Sequence, residues 1–359
     1  MNQRRLAFKQ GFSTLQQVDK LSRRSRSICA IRPDLYNGLG MLETNKIIQG
    51  DSIDVLNAGP EGWVDLAFAD PPFNIGYLYH NYDDKKDVDE YVDWSERWMR
   101  AVYRALKPAG SFYLAIGDEF AADLCYVARR KIGFHMRNWI IWHYTFGQQT
   151  KKMFAKSHTH ILYFTKNKPD HGMTNITFNA DAVRVASARQ TTYADARANP
   201  KGKLPDDTWF LRPQEASPHG YFEPGGDVWN ESRVCGTFKE REGWHGCQMP
   251  IGVLNRIIRA SSNPGEIVLD PFNGSGTTVV AAALLGRQYV GIDQSAEYVA
   301  YANKRLEHAL EATKDAKSNG VTIDLSTKVS DPKRSSKVMT PTDAFGRKRV
   351  ARRRAVKSA

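Results

Sequence analysis

Apolar positions fall into short continuous runs separated by stretches of helical spacing, starting at Asn45. Asn45-Lys46-Ile47-Ile48-Gln49-Gly50-Asp51 predicts a short strand ending at Asp51, with a helix beginning over Ser52 to Leu56. Val64-Asp65-Leu66-Ala67-Phe68-Ala69 predicts a second strand that delivers Asp70 at its carboxyl end. Tyr91, Trp94, Trp98, Val102 and Leu106 then recur at helical spacing, so a long amphipathic helix follows and its aromatic residues belong to the core. Lys107-Pro108-Ala109-Gly110 stops it. Ser111 to Ile116 is the next strand and Phe120 to Lys131 a helix. Two more strands, Trp139 to Tyr144 and His160 to Thr165, are placed to pair as neighbours.

From about residue 168 to 245 the alternation breaks, and Gly, Pro, Asn, Asp and Arg accumulate with scattered aromatics such as Trp209, Phe210, Tyr221 and Trp229. This insertion reads either as an irregular recognition segment or as a plain surface excursion. Periodicity returns at Gln248. Ile251, Leu254, Ile257 and Ile258 mark a helix, and Ile267-Val268-Leu269-Asp270 a strand. Gly274-Ser275-Gly276 turns the chain into an Ala/Val/Leu helix ending at Gly286. Tyr289 to Ile292 forms a strand ending at Asp293, and Glu297 to Ala312 a last helix. Such alternation predicts an α/β fold, a doubly wound and mostly parallel sheet with helices on both faces. There is no internal repeat.

The formal charge of +12 sits at the ends of the chain. Residues 1–34 carry a net +6 and residues 333–359 a net +9, which leaves −3 for everything between. The expected organisation is therefore a basic arm over residues 1–44, a domain over 45–312, and a basic, disordered tail over 313–359. The arms read as contacts to a phosphate backbone or as solubilising tails. Cys29, Cys125, Cys235 and Cys247 form no Cys-x-x-Cys pair, and no apolar run approaches membrane-spanning length. A cytoplasmic protein is expected, nucleoid-associated if prokaryotic. A zinc site from Cys235, His245, Cys247 and His219 matches no strong spacing, and no metal is expected.

The chemistry concentrates in two segments. Asp270-Pro271-Phe272-Asn273-Gly274-Ser275-Gly276-Thr277-Thr278 is a glycine-bearing turn between strand and helix, where backbone can approach a ligand closely. Asp293 follows Gly274 by nineteen residues, the spacing of an acid that holds ribose hydroxyls. An adenosine-containing ligand fits. A dinucleotide site would ask for a third Gly or Ala near Val279, and Thr277 and Thr278 narrow the space a pyrophosphate needs. S-adenosylmethionine has no phosphate. Gln248, Pro250 and Asp51 are further pocket candidates, each equally readable as a cap or turn residue.

Asp70-Pro71-Pro72-Phe73 supplies a carboxylate, a stiff backbone and an aromatic face. The exocyclic amine of a nucleobase is a poor nucleophile because its lone pair is delocalised into the ring. Asp70 and a backbone carbonyl could accept its two hydrogens and localise the lone pair, while Phe73 stacks on the base. In duplex DNA the base would have to be flipped out. Tyr77, Tyr79, His80 and Tyr82 read either as a closing lid or as packing.

In this order the two motifs resemble the beta group of amino-methylating DNA methyltransferases, the N(6)-adenine and N(4)-cytosine family, whose catalytic motif precedes the cofactor motif. The resemblance covers about residues 45–310 and includes Gly50-Asp51, Leu106 to Gly110, His158 ahead of Ile161-Leu162, and Gln248-Met249-Pro250. It implies a Rossmann-like methyltransferase fold with circularly permuted motif order, and a target-recognition region at about 168–245. Asp70, Pro71, Pro72 and Phe73 would be catalytic. Phe272, Gly274 and Gly276 would line the S-adenosylmethionine pocket with Asp270, Thr277 and Gln248, Asp293 would face the ribose, and Asp51 the adenine end. The implied partner is DNA, with a homodimer common among relatives. Asp at the first tetrapeptide position favours adenine in this family and Ser favours cytosine, so N(6)-methyladenine is the expected product and N(4)-methylcytosine the alternative. An RNA methyltransferase or a catalytically silent DNA-binding module stays open at this point. Thr159 departs from the pattern, where many relatives carry Glu after the His.

Deleting residues 333–359 should flatten the salt dependence of DNA affinity, because each lost phosphate contact removes released counterions. Titrations at several salt concentrations measure the slope, and an unchanged slope assigns the tail to solubility.

Overall fold

A computed structural model describes residues 42–76, 84–148, 152, 154, 156–168, 176–185, 187–191, 193–209 and 248–318. The predicted lid residues Tyr77, Tyr79, His80 and Tyr82, the aromatics Phe210, Tyr221 and Trp229, the zinc candidates and the basic arms apart from residues 42–44 and 313–318 lie outside the described residues.

Five strands form a parallel block: β1 (Lys46–Gln49), β2 (Val64–Ala69), β3 (Leu106–Ile116), β7 (Ile267–Asp270) and β8 (Gln288–Asp293). β4 (His135–Gln148), β5 (Lys156–Thr165) and β6 (Thr208–Trp209) extend it, giving the order β1-β8-β7-β2-β3-β5-β4-β6 with β5 antiparallel to both neighbours. The final strands of the chain, β7 and β8, therefore sit inside the sheet beside β2. From β7 the chain moves outward to β8, whereas from β2 it moves to β3 on the other side. The border between β2 and β7 is thus a topological switch point, where a crevice opens at the carboxyl ends of the strands.

Alternation along β2 explains the two-faced core. Val64, Ala67 and Ala69 pack into one cluster with helices α1 (Ser52–Ala58), α2 (Val88–Ala105) and α3 (Ala121–Tyr126). Leu66 and Phe68 pack into the other, with α5 (Ile251–Ser261), α6 (Thr277–Leu284) and α7 (Ala296–Ser318). A short helix α4 (Ala188–Thr191) precedes β6. Asp65 is the one polar residue in β2 and joins three strand starts: it accepts from Lys107 Nζ at 2.7 and 2.8 Å and from the Ile267 N–H at 2.9 Å.

The predicted elements all appear, with shifted ends. Lys107 to Gly110 does not separate helix from strand; β3 begins at Leu106, and a register shift between Val64 and Leu66 absorbs the extra residues of Lys-Pro-Ala-Gly. The helix predicted to run to Lys131 widens after Tyr126 into a π-helical turn, Val127–Ile132. β4 and β5 are longer than predicted because each stabilises the other through a ladder that runs from His135 to Gln148 with two register shifts. α7 continues to Ser318, past the predicted end at Ala312. Within the insertion, Asn179 caps the end of α5 from outside: its side-chain amide donates to the carbonyls of Arg259 (3.0 Å) and Ser262 (2.9 Å), and β6 adds a parallel edge to β4. The described part of the insertion is thereby docked on the sheet. Among the described residues, no helix is long and apolar enough to cross a membrane.

Trp98 lies wholly buried on α2, edge-on to Phe112 and to Phe272 at 5.1 Å. Trp98→Ala should cost about 3–5 kcal/mol in denaturant unfolding. It should also weaken S-adenosylmethionine binding, because Phe272 loses its support. A loss under about 1 kcal/mol would show that the ring does not brace the core.

Candidate active site

β2 and β7 lie side by side and parallel, so Asp70-Pro71-Pro72-Phe73 and Asp270 to Gly276 leave the sheet at the same edge, on either side of the switch point. Their sequence separation disappears in the fold.

On the cofactor side, the loop is built from carboxylates spent on backbone N–H groups. Asp270 is buried and accepts from the Phe272 N–H at 2.9 Å, which closes the turn on itself. Asp293, at the end of β8, accepts from the Gly274 N–H with Oδ2 and from the Ser295 N–H with Oδ1, both at 2.8 Å. Its backbone carbonyl accepts from the Gly50 N–H at 2.9 Å. Asp51 caps α1 through the Ile53 N–H (2.8 Å) and accepts from Gln294 Nε2 at 2.7 Å. The three predicted acids thus stitch the ends of β1, β7 and β8 together. Gly276 caps α6 at φ +76°, and an added Cβ would come within 2.9 Å of the Ala302 Cβ, so the turn excludes a side chain on two grounds. Beneath it, Arg305 is buried and donates through Nη1 to the Ser275 carbonyl (2.9 Å) and to Thr277 Oγ1 (2.8 Å). Sequence reasoning missed Arg305, whose place on the surface pattern of a terminal helix carries no signal of burial. Gln248 is buried, two residues before Pro250 at the start of α5.

These groups fit S-adenosylmethionine. Each Asp293 carboxylate oxygen accepts a single backbone N–H and keeps acceptor capacity for a ribose hydroxyl. Gly274, half-buried in the turn, has no side chain to keep a ligand from its backbone.

On the other side, helix α2 holds the tetrapeptide. The buried Tyr91 hydroxyl donates to the Pro72 carbonyl at 2.6 Å. The Pro71 carbonyl takes no hydrogen bond from the described residues. The Phe73 ring lies against Gly117 at the end of β3, where an added Cβ would meet its Cδ2 at 3.3 Å. Immediately afterwards the chain turns through Asn74 at φ +59°. Asp84, 2% exposed, accepts from the N–H groups of Asn74 (2.7 Å) and Ile75 (3.2 Å). Neither Asn74 nor Asp84 was singled out from sequence; Asn directly after the tetrapeptide, as a residue that tolerates left-handed backbone, was the available signal.

Aromatic packing connects the two sides. Tyr91 contacts Trp94 at 5.7 Å, and Phe272 packs on Trp94 (5.7 Å) and Trp98 (5.1 Å). The prediction that these α2 aromatics belong to the core holds for packing and misses the Tyr91 hydroxyl. At the start of β5, the Trp139 indole donates to His160 Nδ1 (2.8 Å), and the His158 and His160 rings meet edge-on at 4.8 Å. Burial, then the neighbouring His158, holds the His160 imidazole below its ordinary pKa. Thr159 points to neither ring; it is buried opposite Trp142.

A glycine turn beside an Asp-Pro-Pro-Phe loop, at the switch point of a mostly parallel sheet, defines the class of methyltransferases that act with S-adenosylmethionine. The chain belongs to the N6/N4 DNA methylase family, whose profile matches residues 64–304 and so includes both loops. It is 35% identical over 270 residues to the DNA adenine methyltransferase YhdJ of Escherichia coli (strain K12), covering 74% of this chain and 84% of that protein. It is 32% identical over 262 residues to the type II methyltransferase M.HpaI of Haemophilus parainfluenzae, covering 73% and 74% respectively. The PvuII DNA methyltransferase (cytosine-N4-specific) has a similar fold, with a TM-score of 0.51, 17% identity, and coverage of 80% of this chain and 97% of that one.

Burial pushes the Asp270 pKa up to about 7, with Asp293 adding repulsion. An unfolded Asp titrates near ~3.9, so the folded state holds the proton more tightly and the associated stability is lost as pH rises from about 4 to about 7. Asp270→Asn removes this titration. The melting temperature of the wild type should fall relative to Asp270→Asn across that window and then run parallel above it. Parallel profiles throughout would place the titration elsewhere.

Proposed function

We propose that this DNA methyltransferase transfers methyl to the N(6) amino group of adenine, with the target base extruded from the duplex against Asp70-Pro71-Pro72-Phe73. The observation that carries the reading is the fixed geometry of the tetrapeptide. With the Pro72 carbonyl taken by Tyr91, the Pro71 carbonyl is left as the backbone acceptor beside the Asp70 carboxylate. Two acceptors match the two hydrogens of an exocyclic amine. Holding both localises the nitrogen lone pair, and preorganised acceptors need no rearrangement during reaction. Phe73, seated on Gly117, offers a ring face on which an unstacked base recovers stacking energy.

S-adenosylmethionine supplies a methyl group on a sulfonium, which is already an activated leaving group. Gly274, Gly276, Phe272 and Asp293 would hold it, with Asp293 toward the ribose and Asp51 and Gln248 at the rim. The amine becomes positively charged as its bond to carbon forms, and its proton then leaves to Asp70 or to water. The protein's task is therefore positioning and desolvation, not the generation of a strong base.

Support for adenine comes from Asp at the first tetrapeptide position and from the similarity to a DNA adenine methyltransferase. Cytosine presents the same amine geometry, and N(4) methylation is the alternative outcome of the test. The basic arms, outside the catalytic domain, would add contacts to the phosphate backbone.

Unmethylated genomic DNA incubated with methyl-labelled S-adenosylmethionine, then digested to nucleosides, should carry label in N(6)-methyl-2′-deoxyadenosine. Label in N(4)-methyl-2′-deoxycytidine would overturn the base assignment and keep the mechanism. Asp70→Ala should abolish transfer while S-adenosylmethionine binding survives; retained turnover would remove Asp70 from the chemistry.

A further inference from the structure

The segment that follows Asp70-Pro71-Pro72-Phe73 is tied down by hydrogen bonds to residues 84–86. Directly after Phe73, Asn74 adopts φ +59°, and both backbone N–H groups that follow the ring, those of Asn74 and Ile75, point at the Asp84 carboxylate. The Gly76 N–H donates to the Asp84 carbonyl at 2.7 Å. The Asn74 side chain adds a reciprocal pair: its Nδ2 donates to the Lys86 carbonyl (2.9 Å), and its Oδ1 accepts from the Lys86 N–H (2.7 Å). Asp87 then caps α2, the helix whose Tyr91 holds Pro72. Five hydrogen bonds therefore tie residues 74–76 to residues 84–86, and through α2 the tie closes on the tetrapeptide itself.

A buried carboxylate is costly unless it is hydrogen-bonded, and bonds from N–H groups to an ionised acceptor are the stronger kind. The fold retains Asp84 at 2% exposure and uses it to fix two consecutive peptide planes of the turn. Fixing those planes sets the direction in which Phe73 leaves the backbone. It also fixes, through the rigid Pro71-Pro72 pair, the direction of the Pro71 carbonyl.

We propose that Asp84 and Asn74 are positioning residues for methyl transfer, which orient the Asp70-Pro71-Pro72-Phe73 backbone toward the amine without touching it. The inference rests on the reading of the tetrapeptide as the amine-binding loop and adds the residues that aim it. Because the clamp lies on β2's side of the switch point, it acts on the nucleophile and leaves the cofactor loop alone.

The test measures kcat, the KM for S-adenosylmethionine and the stoichiometry of S-adenosylmethionine binding for Asp84→Asn, Asn74→Gly and Asn74→Asp. Asp84→Asn turns one acceptor into a donor facing a backbone N–H. With rates normalised to binding-competent protein, it should lower kcat by roughly 10- to 100-fold, the effect of a small misplacement of reacting groups. The KM for S-adenosylmethionine should stay within about twofold of wild type. Asn74→Gly keeps left-handed backbone, deletes both bonds to Lys86 and leaves the core charge unchanged, so it gives the same test if Asp84→Asn does not fold. Asn74→Asp retains an acceptor for the Lys86 N–H and should recover part of the loss. Normalised kcat within about twofold of wild type in both Asp84→Asn and Asn74→Gly overturns the proposal, since a merely structural role reduces the amount of competent protein and not its rate. If Asp70→Ala is inert while these variants are fully active, only the clamp is refuted. Activity in Asp70→Ala would refute the reading of the tetrapeptide, and the clamp with it.

Discussion

Helix α2 joins the two halves of the site through one line of contacts. Tyr91 donates its hydroxyl to Pro72, and Trp94 and Trp98 carry Phe272 on the same helix face. A group-transfer enzyme must hold two substrates within tenths of an ångström of a reactive geometry, and the two loops at this switch point leave different strands. Neither loop could set the other's position alone. The aromatic residues at positions 91, 94 and 98 solve this by spacing, since i, i+3 and i+7 share one face of a helix. The same face is buried against the sheet, so hydrophobic burial and site alignment are enforced together.

Buried and half-buried carboxylates perform a second common task. Asp84, Asp270 and Asp293 all direct oxygens at backbone N–H groups that the turns would otherwise leave unsatisfied. Each fixes the shape of a loop before any ligand arrives. Preorganisation of this kind lowers the ordering cost of binding and lets electrostatic interactions act on the reacting groups at once. Burial also raises the pKa of Asp270 and Asp293, so the turn between β7 and α6 carries carboxylates whose protonation responds to pH above the ordinary carboxylate range.

The described part of the inserted segment follows another logic. It docks through Asn179 on the end of α5 and on Ser262 and Asn263, which lead into β7, and through β6 on β4 at the far edge of the sheet. One part of the segment is therefore fixed beside the start of β7 and another extends the sheet.

The sequence by itself determined the elements and the chemistry they carry. Continuous apolar runs such as Leu66 to Ala69 and Ile267 to Leu269 identify strands buried on both faces, and the residues that follow them identify the loops. Those signals are local: periodicity, a Pro pair, a Gly turn, an acid at a strand end. Tertiary structure alone decided that β7 inserts beside β2, which brings together residues some two hundred positions apart in the chain. It also decided the partners of Tyr91, Asp84 and Arg305. Each is read from sequence as an ordinary core, loop or surface residue, because a hydrogen bond to a backbone carbonyl or N–H leaves no pattern in side-chain identities. Strand ends are likewise set by partners, as in the extension of β4 and β5, where ladder hydrogen bonds outweigh the weak local preference of His135 to Asn138 and Lys156 to Thr159.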